Sequence, residues 1–278
     1  MIKSILVILD GQDADHASID LALRWSTDFG ATVVGLGVLD EDLVNPLEPV
    51  PLGGGEAKRT LDTARMDKQR KLVATSLAAI AARCARDHVN FKPFDPVGLS
   101  VDEIALAAQR YDLIVMPRPE PDDTDSIEEG STAALWAILR NTPRPVVAVP
   151  TEAAQGDSIV IAYDGSLQAA RALQAFESSG LAARHPLHVV SIDDDPEEAA
   201  RRGSRAVDFL AFHNLAANLH VVPCTATQSD HLLQTAQGLN AGLVVMGAYG
   251  RSRIYEFFLG SVTQAMLAEC PMPLFLYH

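Results

Sequence analysis

Leu243-Val244-Val245-Met246-Gly247-Ala248-Tyr249-Gly250-Arg251-Ser252, resumed at Leu259-Gly260-Ser261-Val262, is the stretch from which the fold can be read. Its four leading apolar residues read as a buried strand. A glycine loop follows, and Gly260-Ser261 opens a segment of helical composition that runs to Glu269. Strand, glycine loop and helix start together form a common way to hold phosphate. Glycine lets the backbone come close and take positive φ. The free N–H groups and the dipole of a helix start favour an anion, and Ser261 adds a hydroxyl donor. The spacing is G-x2-G-x9-G-S. It is neither the Walker pattern G-x4-G-K-[ST] nor the dinucleotide pattern G-x-G-x-x-G. The plainer reading of the same residues is an ordinary αβ loop with glycines at its turns.

Working outward, the chain repeats itself. Ser4-Ile5-Leu6-Val7-Ile8-Leu9-Asp10-Gly11 and Ser158-Ile159-Val160-Ile161-Ala162-Tyr163-Asp164-Gly165 stand 154 positions apart and align without a gap to Val38 and Ile192. Leu113-Ile114-Val115-Met116 aligns with Leu243-Val244-Val245-Met246 at 130 positions, a register that holds to Gly130-Ser131 against Gly260-Ser261. The chain is a tandem duplication, and the first copy carries 24 extra residues between these blocks. Residues 1–150 form one expected domain and 157–278 the other, joined by the linker that starts at Thr151. In each copy short apolar runs alternate with helical segments, which predicts a parallel, doubly wound sheet.

In the first copy the reading places strands after Ser4, at 31–39, 89–94, 113–116 and 146–149. Helices carry Ile19, Ala22, Leu23 and Phe29, then Val73, Leu77, Ile80 and Cys84, then 101–110 and 131–140. Asp13 or Asp15 is the expected cap of the first helix. Three prolines and Gly53-Gly54-Gly55 mark 45–56 as an exposed loop. In the second copy the expected strands are 158–163, 187–192, 219–223, 243–246 and 274–277. The expected helices are 167–182, 197–215, 228–238 and 261–269.

Composition narrows the function. The 278 residues carry a formal net charge of −14, with 48% hydrophobic and 21% charged residues. Such a field repels a nucleic-acid backbone, and no local basic patch offsets it. An anionic nucleotide needs backbone donors and nearby arginine, which the glycine loop with Arg251 and Arg253 offers. The three cysteines, Cys84, Cys224 and Cys270, are isolated and fit a reducing, cytoplasmic setting. The apolar run Ile5 to Leu9 is too short for a signal core, and no run reaches the ~18 residues of a membrane helix.

Met246-Gly247-Ala248-Tyr249-Gly250-Arg251-Ser252 with Gly260-Ser261-Val262 resembles the ATP-binding signature of universal stress proteins. The resemblance covers the chain twice, as two tandem Rossmann-like α/β sandwiches. It implies in each a five-stranded parallel sheet of the adenine nucleotide alpha hydrolase kind. It implies ATP, with or without Mg, as ligand. Asp164 would meet the adenine–ribose part and the Ile192 backbone would hold adenine. Met246 and Gly247 would flank the nucleotide, and Gly247, Gly250, Gly260 and Ser261 would cradle the phosphates. Val262 would donate a further N–H, and Arg251 would neutralise phosphate charge. Tyr249 stands where the family often has histidine. The resemblance further implies an intramolecular pseudo-dimer through 146–149 and 274–277, and leaves association of two chains open.

The first copy departs from this pattern. Pro117 replaces the first glycine and Glu120 the second, and Asp122, Asp123, Asp125, Glu128 and Glu129 crowd the loop. Proline removes a donor and carboxylates repel a triphosphate. No constellation for nucleophilic or metal catalysis is present, so the expected function is an ATP-binding regulatory protein of the stress response, at most a very slow ATPase. Two other readings stand beside it: a nucleotide-free dimerisation scaffold, and an adenylating enzyme of the same fold. Adenylating enzymes carry S-G-G-x-D-S after the first strand, where this chain has Asp164-Gly165-Ser166-Leu167. Calorimetric titration with Mg-ATP is expected to find one site per chain, and Gly250→Glu is expected to abolish it. Two equal sites, or an unaffected variant, would overturn the assignment to the second copy.

Overall fold

The computed structural model describes residues 1–9, 11, 15–38, 55–94, 101–118, 141–248 and 260–277. The chain divides into two compact units, Lys3–Thr142 and Pro143–His278 together with Met1–Ile2. The first unit runs β1 (Ser4–Leu9), α1 (Asp15–Phe29), β2 (Thr32–Gly37), α2 (Gly55–Arg86), β3 (Phe91–Pro93), α3 (Val101–Ala108) and β4 (Leu113–Pro117). Its described strands are parallel, in the order β3-β2-β1-β4. The second unit runs β5 (Val146–Val149), β6 (Ser158–Ala162), α4 (Leu167–Ser179), β7 (Leu187–Asp193), α5 (Pro196–Phe212) and β8 (Ala217–Pro223). It closes with α6 (Gln228–Gly238), β9 (Ala241–Gly247), α7 (Ser261–Glu269) and β10 (Leu274–Tyr277).

The second unit contains the five expected parallel strands, in the order β10-β9-β6-β7-β8. One further strand, β5, lies antiparallel against β10, with Leu274 opposite Ala148 and Leu276 opposite Val146. This is the pairing of 146–149 with 274–277 expected from sequence. It also places the last strand read for the first copy in the second compact unit. Central strands are apolar along their whole length because both faces are covered. Every residue of β4 and β5 is buried. On one face α4 touches α5, and on the other α6 touches α7, as right-handed crossovers around a switch point require. Phe176 of α4 meets Phe275 of β10 edge to face at 5.7 Å.

Helix starts in the second unit follow local signals. Ser166 accepts from the Ala169 N–H and Thr227 from the Asp230 N–H, while Asp195 accepts from Glu197 and Glu198 ahead of Pro196 at the first turn. Gly180, at φ 85°, ends α4 three residues earlier than expected. In the first unit Asp15 is part of the first turn of α1, and its Oδ2 accepts the Gly11 N–H at 2.9 Å. Gly55 and Glu56, read as loop, begin α2, where Glu56 suits the positive end of the helix. The remainder of that loop, residues 45–54, and the helix expected at 131–140 lie outside the described residues.

The two units solve one packing problem in opposite ways. In the first, α2 passes so close to β2 that a β-carbon on Gly37 would lie 2.1 Å from Val73 Cγ1. In the second, a β-carbon on Gly203 of α5 would lie 2.3 Å from Leu219 Cδ1 and 3.3 Å from Ser191 Cβ. Gly37 and Ser191 are 154 positions apart, and Val73 and Gly203 are 130 apart. The contact is thus the same one, with the glycine on the strand in one copy and on the helix in the other. Gly37→Ala is expected to cost about 1–3 kcal/mol in urea unfolding, the usual range for overpacking. Gly37→Ala combined with Val73→Ala is expected to be no less stable than Gly37→Ala alone, although Val73→Ala by itself costs stability. Strictly additive losses would show that the two positions do not collide.

Candidate functional site

Ligands of doubly wound sheets sit beyond the carboxyl ends of the strands, where neighbouring strands send their helices to opposite faces. Here that point lies between β6 and β9, which pair from Ile159/Leu243 to Ile161/Val245. Beyond the last rung β6 turns into Tyr163-Asp164-Gly165, while β9 continues through Met246 and Gly247 along β10. Gly165 holds φ 75°, which a side chain rarely adopts. Asp164 Oδ1 accepts the Ser166 N–H at 2.9 Å, the local turn bond a carboxylate makes at a helix entry. This aspartate thus stands at the expected place and shapes the loop it belongs to.

Ile192 is half-buried and lies opposite Val222 in the β7–β8 register. Backbone groups in a strand alternate sides. The Val190 carbonyl accepts from the Tyr163 N–H on the β6 side, and the Asp193 carbonyl accepts from the Cys224 N–H on the β8 side. The Ile192 N–H and carbonyl therefore point to the β6 side, past the last rung that β6 offers. Such a placement suits a backbone reader of a planar base.

On the β9 side Met246 is buried at 5% exposure. Gly247 passes the start of α4, and a β-carbon there would lie 2.9 Å from the Ala169 nitrogen and from the Gln168 carbonyl carbon. Only glycine fits without moving backbone. Gly260 precedes α7 and gives it no side-chain cap, unlike the residues before α4, α5 and α6. Ser261 is exposed and Val262 half-buried at the start of α7. Thr263 is buried, and its Oγ1 donates to the Gly247 carbonyl at 3.4 Å. That hydroxyl ties the strand end to the helix start, a role the sequence reading missed. The structure therefore brings Gly247, Gly260, Ser261 and Val262 together at one strand–helix junction. Gly250 and Arg251 lie outside the described residues.

A second group missed from sequence is a charge network beside Asp164-Gly165. Arg202 of α5 donates from Nη1 to Asp193 Oδ2 at 2.5 Å and from Nε to Glu198 Oε1 at 2.8 Å. Burial opposes its charge, but the bonds to Glu198 and Asp193 outweigh that and hold its pKa above the ordinary arginine value. Tyr163, at 9% exposure, has its phenol pushed up, chiefly by burial, with Arg205 lowering it and Asp164 raising it. Its hydroxyl stays neutral at physiological pH.

Elsewhere the chemistry is structural. His231 Nε2 accepts the Thr225 and Ala226 N–H groups and closes its own loop. His188 Nδ1 and His220 Nε2 lie 3.0 Å apart across β7 and β8, and burial, then His220, lowers the His188 pKa. Burial, aided by Asp87, pushes the Cys84 thiol up to about 11, so it is no nucleophile at neutral pH. Among the described residues no three metal-ligating side chains come together. In the first copy Pro117 is the buried last residue of β4, at the position matching Gly247, and Glu120 lies outside the described residues.

The chain is similar to known proteins. The model of the universal stress protein family matches residues 157–278. Universal stress protein Slr1230 of Synechocystis sp. is 24% identical, over 99% of this chain and 100% of the relative. A universal stress protein encoded in the QAH/OAS sulfhydrylase 3'region of Thermus aquaticus is 31% identical over 134 residues, 43% of this chain and 96% of the relative. The crystal structure of a universal stress protein from Archaeoglobus fulgidus superposes with a TM-score of 0.65 at 18% identity, covering 99% of this chain and 97% of that one. Among the described residues no helix is long and apolar enough to cross a membrane. At the junction itself, Gly247→Ala must displace helix backbone rather than a side-chain tip. It is expected to cost about 1–3 kcal/mol in chemical denaturation. An alanine variant as stable as the parent would mean the α4 start yields freely.

Proposed function

This chain belongs to the universal stress protein family, and from that membership we propose that it is a regulatory ATP-binding protein of the stress response whose nucleotide sits in the second copy. The observation that carries the reading is the junction at the end of β9. Gly247 runs against the α4 backbone, Thr263 links its carbonyl to α7, and α7 begins at Gly260-Ser261 without a side-chain cap. A helix start of this kind presents backbone N–H groups and a positive dipole end to an anion. In a protein with net charge −14, such fixed dipoles attract a triphosphate without adding lysines to the surface.

In this reading the Ile192 backbone holds adenine and Asp164 meets the ribose. Gly247, Gly250, Gly260, Ser261 and Val262 take the phosphates, with Arg251 and a Mg ion balancing charge. ATP then acts as a ligand that biases conformation or partner binding in the cytoplasm, and no residue is assigned as a general base for hydrolysis. The partner is a protein rather than a nucleic acid, given the charge. A nucleotide-free scaffold is the second reading, favoured by the β5–β10 pairing, which uses the strand the resemblance assigns to dimerisation.

Mass spectrometry of small molecules released from protein purified without added nucleotide decides between them. The expected outcome is adenine nucleotide at close to one equivalent per chain. Protein that releases none, and that shows no heat with Mg-ATP, supports the scaffold and overturns the ATP reading.

A further inference from the structure

We propose that Arg202 is a positioning residue for the base end of the nucleotide site, setting the gap between the Asp164-Gly165 loop and the Ile192 backbone. The inference rests on the nucleotide reading given above. Arg202 touches both walls of that gap. Its aliphatic stem lies over Gly165, where a β-carbon would sit 3.1 Å from Cγ and 3.2 Å from Cδ. Its guanidinium holds the side chain of Asp193, the residue directly after Ile192, at 2.5 Å.

The far side of the network is fixed as well. Asp193 Oδ1 accepts the Asp195 N–H at 3.1 Å, and Asp195 in turn caps α5. Glu198 receives Arg202 Nε at 2.8 Å and Arg201 Nη2 at 2.5 Å. The end of β7, the first turns of α5 and the loop after β6 are thereby joined through one side chain. Two carboxylates already neutralise Arg202, whose side chain is 16% exposed. It is therefore a poor direct ligand for phosphate and a good spacer.

The first copy supplies an internal contrast. Leu72 stands 130 positions before Arg202, in the register that relates Val73 to Gly203. There the loop glycine is Gly11, and a β-carbon on it would lie 2.7 Å from Leu72 Cβ and 3.0 Å from the Leu72 carbonyl carbon. The residue that matches Asp193 is Leu39. The copy that lost its glycines to Pro117 and Glu120 thus also has leucine at both positions of the ion pair. The pair and the intact glycine pattern occur together in the second copy.

The test uses the full chain and its Arg202→Ala, Arg202→Met and Asp193→Asn variants, titrated with ATP, AMP and GTP. Arg202→Ala is expected to weaken ATP and AMP alike by about tenfold, the scale of one charge-assisted contact. The ATP-to-AMP ratio should hold, because the phosphate junction is built on β9 and α7. The ATP-to-GTP preference should fall, because the base reader has moved. Arg202→Met keeps the stem and is expected to lose less than Arg202→Ala, while Asp193→Asn falls between the parent and Arg202→Ala. If Arg202→Ala does not fold, the other two variants carry the same comparison. Variants that fold and bind ATP with parental affinity and preference would overturn this role and leave the nucleotide reading intact. A parent chain that binds no ATP would overturn both.

Discussion

Wherever the second crossover helix of either copy passes the sheet, one of the two surfaces has to give up its β-carbon. A helix can approach a strand this closely only if nothing projects between them, and the gain is dense dispersion contact over the whole crossing. The copies share the approach and differ in who yields, Gly37 under Val73 or Gly203 over Ser191 and Leu219. The neighbouring helix residue is then carried onto the loop glycine after the first strand, Leu72 onto Gly11 and Arg202 onto Gly165. The shape of the strand ends therefore follows from a contact that lies away from them.

From that shared frame the copies diverge in charge rather than in architecture. The second copy surrounds its strand ends with an ion-pair network and leaves an uncapped helix start facing the junction. The first buries Pro117 where the second has Gly247. A proline gives no N–H to a ligand, and an acidic neighbourhood opposes an anion. Duplication lets one copy keep a demanding geometry while the other is released from it.

Much of this was legible in the residues. Apolar runs gave the strands because both sheet faces are covered, and the offset of 154 gave the repeat because the two copies keep one alignment through β2 and β7. The caps at Ser166, Asp195 and Thr227 lie where short polar side chains precede helical segments. The partner of β5 was legible only through the family resemblance, because four apolar residues by themselves do not name the ladder they join. Thr263 and Arg202 were missed for a different reason. Their partners, Gly247 and Asp193, are near in space but not at a fixed spacing, and a bond of that kind leaves no periodicity. Carrying the 130-residue register back into α2 and α5 would have exposed the exchange of Leu72 for Arg202.

The antiparallel rungs between Val146–Val149 and Leu274–Tyr277 also have a meaning for the growing chain. As the polypeptide leaves the ribosome, a wholly apolar strand emerges more than 120 residues before its partner. Until then its open edge is a template for any other extended segment, and domains otherwise tend to fold in the order of synthesis. Closure of this sheet therefore waits for β10 to be made, and a chain that stalls before it would display a sticky edge that the folded protein hides.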